Sequence, residues 1–161
     1  MIKKNKILII VMYFAIAIAA IVLDQLTKMW LYGKTFSLIG DFLWIESSFN
    51  TGAAFSMMSG ARLFFIIVSL IASVLIIYLL ISNNWGFTKF NKIALSLMLG
   101  GAIGNLIDRI MLGGVRDFIY FKSINFAIFN VADIYVTIGG CLFAIGLIVN
   151  LVKSNNSRKA K

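Results

Sequence analysis

Two carboxylates in this 161-residue sequence stand where they could share one reaction. Asp117 lies in Val-Arg-Asp-Phe, just after the third of four long apolar runs, and Asp133 closes Phe-Asn-Val-Ala-Asp, just before the fourth. Consecutive membrane-crossing runs are antiparallel neighbours, so the two outer ends can approach each other. Two carboxylates held close cannot both ionise cheaply, and one keeps a proton near neutral pH. Such a pair can take a proton from water and give one to a departing amide nitrogen, which is hydrolysis without a covalent intermediate. Low local dielectric at a partly buried site strengthens the coupling. Local pattern also supports plainer readings. With Asn130 as N-cap, Asp133 falls at N3, where a carboxylate suits the helix dipole and returns a hydrogen bond. Taken locally, capping is the stronger reading of Asp133, and a surface acid paired with Arg116 or Arg109 that of Asp117.

Other polar residues gather at the same end of the runs. Asn105, Asp108 and Arg109 fall on one helical face, and polar groups within a membrane usually face protein or water. The guanidinium of Arg109 offers five donors in a fixed fork, suited to carboxylates or carbonyls. Gly100, Gly101 and Gly104 precede it and let helices approach closely; a packing seam that ends in a surface ion pair fits the same residues. Asp24 and Lys28, beside Gln25 and Thr27, are i, i+4 partners with the acid first, the better order, and read equally as an interfacial ion pair. Asn50-Thr-Gly-Ala-Ala-Phe55 is small and polar before the second run and reads locally as a turn, with Gly52 free to adopt conformations closed to other residues.

Composition limits the chemistry. The chain has no histidine and one cysteine, Cys141, inside an apolar run. Ser-His and Cys-His nucleophile pairs are therefore excluded, as is the commonest metal ligand. No intramolecular disulfide can form. The net charge of +9 raises the question of nucleic acid, but the cations flank apolar segments and no basic stripe with interleaved aromatics occurs, so nucleic acid is not an expected partner.

The positioning elements are membrane helices. The chain is 61% hydrophobic and has no proline, whereas soluble domains are about half apolar. Spans are expected at about 7–23, 63–81, 93–112 and 134–152, close to the roughly 20 residues a crossing needs. Apolar Leu26, Met29, Trp30 and Leu31 allow the first to extend past Asp24. The fold class expected is an all-α membrane protein of four transmembrane helices with a small extracytoplasmic β-hairpin or sheet, all within one domain over 1–161. The hairpin is read from Lys34–Glu46, two aromatic-rich pieces split at Gly40-Asp41. The tail 153–161 is expected to be disordered. Assigning the N-terminus, Ser82–Lys92 and the tail to the cytoplasm puts nine cations there against six elsewhere, which favours both termini inside. All six carboxylates then lie at or beyond the outer helix ends.

Five pieces, Asp24-Gln-Leu-Thr-Lys28, Asn50-Thr-Gly-Ala-Ala-Phe55, Gly100-Gly-Ala-Ile-Gly-Asn-Leu-Ile-Asp-Arg109, Val115-Arg-Asp-Phe118 and Phe129-Asn-Val-Ala-Asp133, together resemble the lipoprotein signal peptidases, also called signal peptidase II. They occur in that family's order and span nearly the whole chain. The resemblance implies an aspartic endopeptidase of the bacterial cytoplasmic membrane. It would cut the signal peptide from prolipoproteins just before a cysteine carrying a diacylglyceryl group. It makes Asp117 and Asp133 catalytic and gives Asp24, Lys28, Asn50, Gly52, Asn105, Arg109 and Asn130 substrate-binding or site-supporting places. It implies no metal and no cofactor, a lipidated prolipoprotein and membrane lipid as partners, and a monomer. Residues alone leave rivals: a small transporter with a proton-coupled carboxylate, a non-catalytic assembly subunit using the glycine seam, and a carboxylate-bound divalent cation.

Overall fold

Helices form over all four apolar runs. In the computed structural model, which describes residues 2–52, 60–82 and 84–159, α1 (Ile2–Leu31), α2 (Arg62–Ile81), α3 (Lys89–Met111) and α4 (Val131–Lys159) are each long and apolar enough to cross a membrane. Helix α1 continues past Asp24 to Leu31. Helix α4 runs on through Lys153 to Lys159, so the described part of the tail expected to be disordered is helical instead; nothing from Lys153 to Lys159 is a helix breaker, and an established helix propagates readily.

Helix α3 is the least apolar of the four and the most enclosed. It packs against α1, α2 and α4 and buries Asn91, Lys92, Ser96, Asn105 and Asp108. Its polar groups require protein around them, because lipid offers no hydrogen bonds. The apolar centre is Tyr13, Ala17, Ile76, Leu80, Leu95 and Leu99. The glycine seam sets the spacing, as expected. A Cβ on Gly100 would lie 2.5 Å from the Ala20 Cβ, one on Gly104 would lie 2.5 Å from Asp24 Oδ2, and one on Gly101 would strike the Ala132 carbonyl.

At one end of the bundle sits a three-stranded antiparallel sheet in the order β1 (Thr35–Ile39), β2 (Leu43–Asn50), β3 (Val115–Phe121). The hairpin between β1 and β2 turns at Gly40-Asp41 as the sequence pattern suggests, with Gly40 at φ 45° and Phe42 N–H donating to the Ile39 carbonyl at 2.9 Å. The third strand extends that hairpin. It leaves α3 through Gly113, whose φ of 90° few other residues adopt readily, and pairs Asn50 with Val115 and Ser48 with Asp117. The sheet thus carries Asp117 to the ends of α3 and α4.

Candidate active site

Strand alternation decides where Asp117 points. Neighbouring residues of a strand face opposite sides, so Asp117 and Arg116 cannot share a partner. Arg116 turns to Asp108, donating from Nη2 to Oδ1 at 2.8 Å and from Nε to Oδ2 at 3.1 Å, while its backbone N–H reaches Oδ2 at 3.0 Å. The hydrogen bonds from Arg116 to this carboxylate raise the arginine above its ordinary value. Gln25 joins them, accepting from Arg116 Nη2 at 3.0 Å. The expected surface pairing of Asp117 with Arg116 is therefore wrong, and Asp117 itself is only 2% exposed.

Asp117 faces the opposite way, into a cavity of about 550 Å³ that Asp133, Asn50, Gly52, Asn105 and Arg109 also line. Its Oδ2 accepts from Asn50 Nδ2 at 3.0 Å and its Oδ1 from Asn130 Nδ2 at 2.6 Å. Burial first, and then the charge of Asp133, push its carboxyl up to about 7, against the opposing hydrogen bonds of Asn50 and Asn130 and the charge of Lys28.

Asp133 plays the capping role and faces the cavity as well. Its backbone N–H donates to Asn130 Oδ1 at 3.1 Å, and its Oδ2 accepts from the Asn130 N–H at 3.1 Å. That reciprocal pair is the capping box expected from Asn130 and Asp133. The remaining oxygen, Oδ1, accepts from Asn105 Nδ2 at 2.7 Å. One side chain, Asn130, therefore touches both aspartate segments.

Behind the cavity lies a buried ion cluster. Lys28 Nζ pairs with Asp24 Oδ2 at 2.9 Å and Asp108 Oδ2 at 3.7 Å, all three side chains being fully enclosed, and donates to Asn105 Oδ1 at 2.9 Å. Asp24 Oδ1 accepts from the Ala132 N–H at 2.9 Å, tying α1 to the first turn of α4. This pair is enclosed by protein, where the sequence suggested an interfacial one. Arg109 donates to the Gly52 carbonyl at 3.3 Å and lies 5.1 Å from the centre of the Phe65 ring. Among the described residues no three metal-ligating side chains of the Asp, Glu and Cys type gather.

The structure thus brings together all nine residues singled out from the sequence. Six line the cavity, and Asp24, Lys28 and Asn130 support it from behind. Ala53, Ala54 and Phe55 of the second motif lie outside the described residues. Sequence reasoning missed the apolar wall, formed by Phe121, Phe126–Phe129, Ile134, Thr137 and Ile138. Helical spacing could have marked Thr137, one turn beyond Asp133. The Asp108–Arg116 bond could have been found from strand alternation, once 115–121 was read as a strand.

Residues 16–149 match the family model described as signal peptidase (SPase) II. A lipoprotein signal peptidase of Enterococcus faecalis is 40% identical over 147 residues, 88% of this chain and 91% of that protein. One of Shouchella clausii is 42% identical over 155 residues, 92% of this chain and 99% of that protein. Two solved structures share the fold, both described as bacterial membrane enzymes. One has a TM-score of 0.77 at 36% identity and covers 93% of each chain. The other has a TM-score of 0.72 at 37% identity, covering 84% of this chain and 92% of that one.

Proposed function

The chain belongs to the signal peptidase II family, and from that premise we propose that it cuts signal peptides from lipoprotein precursors with Asp117 and Asp133. The family is one of proteases, so the transporter and scaffold readings give way. The observation that carries the dyad is the shared cavity. Two carboxylates line it, one is pushed up to about 7 by burial and by the other's charge, and one asparagine touches both segments.

The reaction follows from these positions. Asp117 holds the pair's shared proton, and Asp133 acts as the base. A water between them gives a proton to Asp133, and its oxygen attacks the scissile carbonyl carbon. The resulting tetrahedral oxyanion forms near Arg109, whose fork has one long bond to a backbone carbonyl and so can turn its remaining donors to the developing charge. Asp117 then passes its proton to the amide nitrogen as the C–N bond breaks. The products are a carboxyl-terminated signal peptide and a free amine, and returning the proton from Asp133 to Asp117 resets the pair. The monoprotonated dyad is the working form, so activity falls as pH rises through about 7.

The cut falls immediately before a cysteine carrying a diacylglyceryl group. The apolar wall suits such a neighbour, and four membrane-crossing helices suit a substrate that is itself a lipidated membrane segment. The charge count puts both termini in the cytoplasm and the sheet with its cavity on the outer face of the bacterial membrane. The protein works as a single membrane domain and as a monomer.

The test is a mass shift. Purified protein in detergent is incubated with a diacylglyceryl-modified prolipoprotein, beside Asp117→Asn and Asp133→Asn. The wild type should release the signal peptide and both variants should lose on the order of 10²-fold or more in rate. Equal cutting by all three would remove the dyad.

A further inference from the structure

Lys28 carries a buried charge that the proposed mechanism does not use. It does not line the cavity, and its side chain is fully enclosed. We propose that Lys28 is a positioning residue, fixing which end of the Asn105 amide faces Asp133 and, through Asn130, which end of a second amide faces Asp117.

The inference rests on donor and acceptor counts. An ammonium only donates, whereas an asparagine offers one oxygen and one NH₂. Lys28 Nζ lies 2.9 Å from Asn105 Oδ1, so the oxygen must point to α1 and the NH₂ to α4. There Nδ2 donates to Asp133 Oδ1 at 2.7 Å. The same Asn105 oxygen accepts from Asn130 Nδ2 at 3.1 Å, and the second proton of that nitrogen goes to Asp117 Oδ1 at 2.6 Å. A half-turn of the Asn105 amide would put its NH₂ against the ammonium and its oxygen against the carboxylate. Two repulsive contacts would replace two charge-assisted bonds. Lys28 cannot turn away, because Asp24 and Asp108 hold it at 2.9 and 3.7 Å. One buried cation therefore sets the direction of the Asn105 amide at Asp133, and it sets that of the Asn130 amide at Asp117 jointly with the Asp133 N–H, which donates to Asn130 Oδ1 at 3.1 Å.

The charge matters as well as the direction. Asp117 is faced by Asp133 from α4, by Arg109 from α3 and by the neutral amides of Asn50 and Asn130, with Lys28 behind. Lys28 in turn faces Asp24 and Asp108, and Arg116 of β3 pairs with Asp108. Removing the cation takes away a charge that favours ionised Asp117, so Asp117 should keep its proton to higher pH.

This inference rests on the dyad reading, and one experiment separates the two. Full-length wild type, Lys28→Met, Asn105→Asp and Asp117→Asn are assayed in detergent on a diacylglyceryl-modified prolipoprotein, with kcat and KM measured across pH and folding followed by thermal melting. Folded Lys28→Met should keep KM, lose roughly 10- to 100-fold in kcat and move the basic limb of the pH profile upward. Wild-type kcat, or lost kcat with an unmoved limb, overturns the inference and reduces Lys28 to neutralising its neighbours. If Lys28→Met does not fold, Asn105→Asp decides. It keeps Lys28 paired but aims an acceptor at Asp133, so kcat should fall with KM retained, and wild-type kcat overturns the inference. Active Asp117→Asn in the same series would sink the dyad reading instead.

Discussion

Helix α3 has a polar cluster at each end, and the one at the sheet end adjoins the cavity that Asp117 and Asp133 line. At the end away from the sheet, Thr88 caps α3 in a reciprocal box with Asn91. Asn91 donates to the Phe143 carbonyl at 3.3 Å and accepts from Asn150 at 3.0 Å, and Lys92 closes α2 by donating to the Leu80 and Ser82 carbonyls at 2.9 and 3.1 Å. At the sheet end, about 21 Å away along the helix, Asn105, Asp108, Lys28 and Asn130 are just as enclosed. Both clusters contain a buried lysine, a buried asparagine and a capping box. The difference is in the acceptors. Backbone carbonyls and amides satisfy the first cluster, and it contains no carboxylate. The second contains four, and two of those line the cavity. A buried polar network is thus ordinary support until a titratable pair is left facing open space.

The largest expected effect compares two asparagines, each fully buried and each part of a capping box. Asn130→Ala frees both aspartate segments and should cost cleavage roughly 100-fold. Asn91→Ala should lower the melting temperature in detergent while leaving kcat within about twofold of wild type, since nothing it touches reaches the cavity. Steady-state rates on the lipidated precursor beside melting curves would show this split. Comparable loss of cleavage in both variants would break the contrast between the two ends.

A smaller effect concerns pH. Asp117 is pushed up to about 7 from an ordinary value of 3.8, so the folded state binds its proton more tightly than the unfolded chain does. Stability from this group is fully present below about 4 and is lost as pH rises through about 7, with a slope of at most about 1.4 kcal/mol per pH unit. Wild type should therefore lose stability relative to Asp117→Asn across that window, as read from paired melting curves. The slope belongs to the sheet end alone, because the other cluster has no carboxylate to titrate. A parallel pair of curves would mean that Asp117 is not held near 7.

What could be read in advance follows the same division. The four spans were legible because lipid demands long apolar runs, and the Gly40-Asp41 turn because it splits two aromatic pieces. Asn130 with Asp133 was legible as a cap from spacing alone, yet nothing local distinguished it from the Thr88–Asn91 cap at the other end. The distinction lies in β3, a strand that exists only by pairing with β2 across a separation of some seventy residues. That long-range pairing turns Arg116 to Asp108 and Asp117 to the cavity. The helical continuation of α4 to Lys159 was missed because a polar, charged end was read as unfolded, although nothing in it stops a helix. The family motifs supplied the functional reading, and the geometry supplied the reason these residues stand together.

The smallest effect uses glycines. A Cβ on Gly104 would lie 2.5 Å from Asp24 Oδ2 and 3.1 Å from its Cγ, while one on Gly146 would strike the Asn91 amide and lie 3.1 Å from Phe90 Cδ1. Alanine at either position overpacks a buried seam, and each should cost about 1–3 kcal/mol of stability. The consequences for cleavage should differ. At Gly104 the methyl displaces the carboxylate that holds Lys28 and the Ala132 N–H, so the first turn of α4, and Asp133 with it, shifts against Asp117. At Gly146 the methyl displaces an amide whose partners are Phe143, Asn150 and Thr88, none of which lines the cavity. Gly104→Ala should therefore lose kcat beyond what its melting temperature accounts for, and Gly146→Ala should not. Equal kcat losses at equal stability loss would mean that α3 transmits strain from end to end, and that the two clusters act as one unit.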